Sequence, residues 1–239
     1  MFYTPIAPVG LFDVIEDFDN AFVLAHLWAH EKYRRFYANR SWDIVILDNG
    51  VYEGADVKWE TIHEIAQEIE ADRLFVVAPE VMFKAQETVE VVKDYIRRFR
   101  PKNYEVMAVL QAEIPSMVKV VVEQLVDVVD AFAVPIWMYR RGWCRAGILS
   151  WIFSEVDEAS ARYWHALGLD TLLELPELSG LVDSVDTSMP FTAAAHGMDL
   201  QVNLIVKGKR RVNLLRESFP DHVRQLARKN VETLLRWLR

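Results

Sequence analysis

Two apolar runs in this sequence end on an aspartate and pass at once into a small-residue turn. In "DIVILDNGVYEG", residues 43–54, Asp48 closes the run and Gly50 follows. In "SVDTSMPFTAAAHG", residues 184–197, Asp186 does the same ahead of Met189, Pro190 and a turn ending at Gly197. An ionisable side chain at the end of a buried segment is costly unless it is paired or used. Two carboxylates in one apolar pocket suit chemistry at a sugar anomeric carbon: one attacks C1′ to give a covalent glycosyl intermediate, and the other moves protons for the leaving and entering groups. Carboxyl groups of such retaining pairs stand roughly 5–5.5 Å apart, which this reading requires of Asp48 and Asp186.

Each aspartate also has a plainer use. Asp-Asn-Gly is a strong turn-forming tripeptide, so Asp48 could close an Asx turn. Asp186 could cap a helix starting near Phe191 or Thr192, although Thr187 and Ser188 are better placed for that. Other apolar runs end on polar groups too. Taken in order, the ends carry His26, Asp48, Glu80, Gln111, Trp137 just after Pro135, His165 and Asp186. Glu80 could be a loop charge, and His26 and His165 could be satisfied core or rim histidines; the conjunction is what points to a shared site. Tyr52, Phe83, Trp137 and Tyr139 could stack a planar base, and Gln111 offers a donor and an acceptor for its edge. A nucleobase fits this inventory better than a sugar chain.

Other chemistries lack their residues. The six histidines form no HExxH, His26 and His30 have no third ligand beyond the adjacent Glu31, and the lone Cys144 rules out a cysteine cluster and an internal disulfide. Ser184 and Ser188 lie outside any GxSxG elbow, and neither GxGxxG nor GxxxxGK[ST] occurs. No metal and no cofactor are expected.

The elements that must position these residues follow from hydrophobic periodicity. Short β-branched runs predict strands at 21–27, 43–48, 74–80, 104–111, 131–137, 162–169 and 181–186, with an eighth at "LQVNLIV", 200–206. Between them "WETIHEIAQEIEA", "AQETVEVVKDYIRRF" and "PSMVKVVVEQLVDVV" repeat apolar residues at helical spacing, and Pro115 suits a first helical turn. "FPDHVRQLARKNVETLLRWL" predicts a closing amphipathic helix with Val223, Leu226, Ala227, Leu234 and Leu238 inward. Seven or eight β/α units in 239 residues without a linker predict one (β/α)8 TIM-type barrel domain over residues 1–239, whose strand C-termini gather the polar ends listed above.

An apolar fraction of 52 % is ample for a packed core. The N-terminal segment lacks a basic signal region, no run approaches the ~20 apolar residues of a membrane span, and the single cysteine fits a reducing compartment, so a soluble cytoplasmic protein is expected, with no membrane partner. The net charge of −8 argues against indiscriminate nucleic-acid binding, yet residues 200–239 carry ten Lys/Arg against three Asp/Glu. That segment is either a solvated helix with a basic turn or a phosphate-contacting edge.

With these residues in place, a family resemblance is visible. "VDTSMPFTAAAHG" resembles the nucleophile segment of tRNA-guanine transglycosylases, with Asp186, Met189, Pro190, Ala194 and Gly197 matching in spacing. "LDNGVYE" resembles the family's Asp-Ser-Gly-Gly-Phe-Gln, placing Asp48, Gly50 and Tyr52 on its second aspartate, a glycine and the base-stacking aromatic. "VVAPEV" and "AVLQ" lie where the family has its base-recognising acid and glutamine, here Glu80 and Gln111, and "WHALGL" resembles its His-x-x-Gly strand, with His165. The similarity runs over about residues 20–200 and rests on the order of five short motifs; it looks closest to the short phage and archaeal relatives that place 7-deazaguanine bases in DNA.

The resemblance implies a barrel enzyme that exchanges guanine for a 7-deazaguanine in nucleic acid, DNA more than tRNA, through an aspartyl-ribosyl intermediate. Asp186 would be the nucleophile and Asp48 the proton-handling acid, with Tyr52, Glu80, Gln111, Asn49, Gly50, His165 and His26 around the base. The chain departs from the family in having no cysteine-rich zinc subdomain, in Asn49 for Ser, Val51 for Gly and Glu80 for Asp, and in "FAVPIW" where the family has a Gly-rich strand. Two alternatives stand beside it: a nucleosidase or N-glycosylase that lets water complete the reaction, and a non-catalytic barrel that binds nucleic acid.

Overall fold

The computed structural model describes residues 1–206 and 210–239. Eight strands form one parallel sheet: β1 (Phe2–Pro5), β2 (Asn20–Leu24), β3 (Ser41–Asp48), β4 (Glu70–Val77), β5 (Glu105–Val109), β6 (Ala131–Pro135), β7 (Tyr163–Leu167) and β8 (Ser184–Thr187). The hydrogen-bonded order is β1-β8-β7-β6-β5-β4-β3-β2, and β1 lies alongside β2, so the sheet curls into a nearly closed TIM-type α/β barrel of one domain. The helices are α1 (Glu31–Ala38), α2 (Trp59–Glu68), α3 (Ala85–Phe99), α4 (Pro115–Leu125), α5 (Ile136–Arg140), α6 (Arg145–Glu155), α7 (Leu175–Leu178), α8 (Met189–Ala195) and α9 (Asp221–Trp237).

Helices outside and a packed interior bury these strands on both faces, which is why they read as continuous apolar runs rather than alternations. Val45, Ile46 and Leu47 of β3, Phe75, Val76 and Val77 of β4, and Phe132, Ala133 and Val134 of β6 are all buried. The helices bury one stripe each: on α3, Val89, Val92 and Tyr95 face inward. Among the described residues no helix is long and apolar enough to cross a membrane.

The eighth strand differs from the sequence expectation. It is Phe2–Pro5, which pairs β8 with Tyr3 opposite Val185 and Thr4 opposite Asp186. Residues 200–206 are not a strand; Ile205 makes one antiparallel bridge to Thr171, and Val202 and Ile205 are 79 % and 52 % exposed. Leu200 and Val206 anchor the segment in the core, so it is held by its ends rather than by sheet pairing. The strand at 21–27 stops at Leu24, and a 3₁₀ turn takes Ala25–Leu27 with His26. Strand β6 stops at Pro135, so Trp137 stands on α5.

The C-terminal helix docks through polar contacts that periodicity does not reveal. Asn230 is fully buried, accepting from Leu200 N at 2.9 Å and donating to Met198 O at 2.9 Å and Pro190 O at 3.2 Å. Arg224 and Arg228 both pair with Asp13, and Lys229 with Asp199, so these cations of the basic segment fasten α9 to the barrel. Lys207 and Lys209 lie outside the described residues.

A buried ion pair ties the β6, β7 and α6 ends together. Arg145 gives Nε and Nη2 to the two oxygens of Glu174 at 2.7 and 2.8 Å, and reaches Val134 O at 3.0 Å, Leu167 O at 3.3 Å and Gly168 O at 2.9 Å. Removing one partner leaves the other charge buried alone. Arg145→Met should therefore lower the unfolding free energy by about 3–5 kcal/mol, read from urea denaturation; a loss below about 1 kcal/mol would show that the pair does not hold these strand ends.

Candidate active site

The C-terminal ends of the strands open on a cavity of about 360 Å³. Asp48 from β3, Tyr52 from the following turn and Asp186 from β8 all line it, with apolar walls from Ile6, Phe22 and Leu24. The two aspartates that end apolar runs 138 positions apart thus face one space. Both are buried, at 5 % and 3 % exposure, whereas Tyr52 stands at the rim with 41 %.

Asp186 is held from β7. Register places His165 opposite Ser184, so one imidazole reaches two residues of β8: Nδ1 meets Ser184 Oγ at 2.7 Å and Nε2 meets Asp186 Oδ1 at 2.9 Å. Where the Ser184 hydroxyl donates to Nδ1, Nε2 donates its N–H to Asp186 Oδ1. Gly168 N adds a second bond to the same Oδ1 at 2.7 Å. Among the described residues Oδ2 has no hydrogen-bond partner, so one oxygen is anchored and the other is open. His165 is fully buried under Phe22, with ring centroids 5.9 Å apart and planes at 23°. It is a positioning residue for Asp186 and does not border the cavity. Asp186 does not cap α8; Thr187 Oγ1 accepts from Met189 N at 2.9 Å instead.

Asp48 closes a turn and also lines the cavity. Gly50 N donates to its Oδ2 at 2.9 Å in an Asx turn, and its carboxyl still faces the cavity. Gly50 sits at φ 78°, and a Cβ there would lie 2.6 Å from His26 Nδ1, so the turn needs glycine. Asn49 locks the turn to β4: its Oδ1 accepts from Val51 N at 2.9 Å and its Nδ2 donates to Ala78 O at 2.9 Å. Burial pushes the Asp48 carboxyl well above the usual carboxylate range, and the charges of Glu53, Glu80 and Asp186 push it further, against the Gly50 N–H. The Asp48 carboxyl thus holds its proton to higher pH than an ordinary carboxyl group, beside an Asp186 anchored through Oδ1.

Glu80 and Gln111 are not among the residues that line this cavity. Gln111 Nε2 donates to Glu80 Oε2 at 2.6 Å, and Gln111 Oε1 accepts from Phe83 N at 3.1 Å. Of the four aromatics that could stack a base, only Tyr52 borders the cavity; Phe83 and Trp137 pack edge to face at 5.0 Å, with the Arg141 guanidinium 4.1 Å from the Phe83 ring. His26 lies under the Asp48 turn, where burial lowers its pKa. Among the described residues no three His, Cys, Asp or Glu side chains are grouped to hold a metal ion.

The sequence reading missed the cavity mouth. Arg140 pairs with Asp170 and reaches the Tyr52 hydroxyl, and Arg211 pairs with Glu53. Tyr3 was missed as well: its hydroxyl donates to Thr187 O at 2.9 Å, and its pKa is raised by burial and then by the Asp186 charge. Loop arginines and acids carry no periodic signal, and β1 was too short to be read as a strand.

Glu80 generates a test of these electrostatics. Burial pushes its carboxyl from 4.5 up to about 7, with Glu53 adding to the rise and the Gln111 bond opposing it. Because the folded value lies above the unfolded one, protonation favours the fold; the advantage is complete below the unfolded value and is lost as pH rises through the folded one. Glu80→Gln cannot ionise, so its stability relative to wild type should rise by about 2 kcal/mol between about pH 5 and pH 8 in denaturant titrations. A difference independent of pH would show that Glu80 keeps an ordinary carboxyl pKa.

No known family model matches the chain, and no curated protein matches it in sequence. What places it is its architecture, that of a single-domain TIM-type α/β barrel.

Proposed function

We propose that this protein is a base-exchange transglycosylase that replaces guanine by a 7-deazaguanine in nucleic acid, DNA more than tRNA. The observation that carries the reading is the placing of two buried carboxyl groups on the wall of one cavity bordered by Tyr52: Asp186, anchored through Oδ1 with Oδ2 open, and Asp48, whose pKa burial raises. Environments that push two carboxyl groups apart in protonation assign one to nucleophilic and the other to acid–base work.

In the first step the open Oδ2 of Asp186 attacks C1′ of the nucleotide. The C1′–N9 bond breaks, its electron pair leaves with the guanine, and Asp48 supplies the proton that neutralises the departing base. A ribosyl-aspartate ester and an ionised Asp48 remain. In the second step Asp48 takes the N9 proton of the incoming 7-deazaguanine, N9 bonds to C1′, and Asp186 leaves as a carboxylate. One proton cycles through Asp48, and two inversions retain the sugar configuration. Tyr52 offers its ring to the flat base at the rim.

The test is exchange of labelled 7-deazaguanine into guanine-containing DNA and tRNA. Asp186→Asn should give no covalent protein–nucleic acid adduct and at least about a 10³-fold loss of exchange. Asp48→Asn should lose about 10²–10⁴-fold in rate. Exchange at the wild-type rate by folded Asp186→Asn would refute the assignment, and free sugar or abasic product without label would turn the reading to hydrolysis.

A further inference from the structure

Two arginines border the cavity, and the exchange scheme leaves both without a task. Arg140, at the end of α5, gives Nε and Nη2 to the two oxygens of Asp170 at 2.6 and 2.7 Å and turns Nη1 to the Tyr52 hydroxyl. Arg211, in the segment before α9, gives Nε to Ser188 Oγ at 3.1 Å and Nη1 to Glu53. A guanidinium carries five N–H donors, so each arginine keeps donors beyond those engaged, while Asp170 and Ser188 fix the two planes. Their side chains are 44 % and 37 % exposed, at the boundary with water where an anion reaches them without being buried.

Arg140 follows β6 and Arg211 follows β8, and they converge on the adjacent residues Tyr52 and Glu53 of the β3 turn. Together these contacts ring the mouth above Asp48 and Asp186. A cavity of about 360 Å³ takes one extruded nucleoside and no length of strand. Any phosphate attached to that nucleoside must then sit at the rim, where the planar forks of arginine match phosphate oxygens.

We infer that Arg140 and Arg211 form a two-point clamp for the phosphodiesters flanking the nucleotide whose base enters the cavity, so that the substrate is a polynucleotide strand with one extruded nucleotide. The inference rests on the transglycosylase reading for the identity of the base, and on the geometry of the mouth for the phosphates. Glu53 acts as a placeholder, holding Arg211 until a phosphate replaces it. The acids around the mouth repel a strand that does not bring its phosphates onto the two guanidinium groups, which favours one seating over indiscriminate adhesion.

The test is fluorescence anisotropy with short single-stranded DNA and RNA oligonucleotides carrying one central guanine, titrated at several salt concentrations; the tighter arm identifies the sugar. Arg140→Gln and Arg211→Gln should each weaken binding about tenfold or more and flatten the plot of log K against log salt by about 0.7. Glu53→Gln, which releases Arg211, should tighten it. Thermal unfolding verifies that each variant is folded. Unchanged affinity and salt dependence in both arginine variants, or a wild-type protein that binds neither strand, would overturn the clamp. Guanine and 7-deazaguanine titrated against the wild type separate this from the chemistry: no base binding alongside intact arginine effects would remove the transglycosylase reading and leave the clamp standing.

Discussion

A carboxylate buried at the end of a parallel strand is tolerable only if donors meet it, and much of the β6–β8 side of this barrel is arranged around meeting Asp186. Its Oδ1 takes the Gly168 N–H and the His165 imidazole. Gly168 is held in turn by Arg145, which grips the Leu167 and Gly168 carbonyls and is itself neutralised by the buried Glu174. His165 is held by Ser184 and by the Phe22 ring. A buried ion pair of this kind is weak evidence for stability in itself. Here its consequence is positional, because it fixes the turn that presents one N–H to one carboxylate oxygen and leaves the other oxygen open.

The opposite wall solves the same problem differently. Asp48 receives one backbone N–H, from Gly50, and faces the negative charges of Glu53, Glu80 and Asp186. With so little to stabilise an anion, its pKa is pushed well above the usual carboxylate range. The two carboxyl groups thus sit in different donor sets, and that difference supports assigning them different chemical tasks. Neither environment is visible in the residue type. The mouth adds a third electrostatic layer, in which Arg140 and Arg211 are each moderated by a carboxylate, so that the basic character of the C-terminal segment reaches the cavity through one described residue while Arg224, Arg228 and Lys229 fasten α9.

What was legible in the sequence followed from burial. Strands covered on both faces must be apolar without interruption, so seven of the eight announced themselves, and the polar residue that ends such a run marks the strand's mouth whatever the fold around it. Helices such as Ala85–Phe99 showed their inward stripe in the same way. Those local constraints sufficed for the β/α alternation, the TIM-type barrel, and Asp48 and Asp186 as residues of one end. They failed at β1, where four residues become a strand only because β8, some 180 positions later, offers a free edge, and at residues 200–206, which pack Leu200 and Val206 into the core while Val202 and Ile205 face out, with one bridge in place of a ladder.

The sequence by itself therefore determined the architecture and which side chains gather at the strand ends, because both depend on where apolar surface must be hidden within each segment. Only the tertiary structure decided where those side chains stand and what they touch. It put Asp48, Tyr52 and Asp186 on one cavity and left Glu80, Gln111 and His165 off its lining, turned Asn49 into a pin for the turn, and brought Arg140 and Arg211 to the mouth. Hydrogen bonds and charge–charge interactions act between residues distant in the chain, over a few ångströms, and leave no periodic trace in the order of the amino acids.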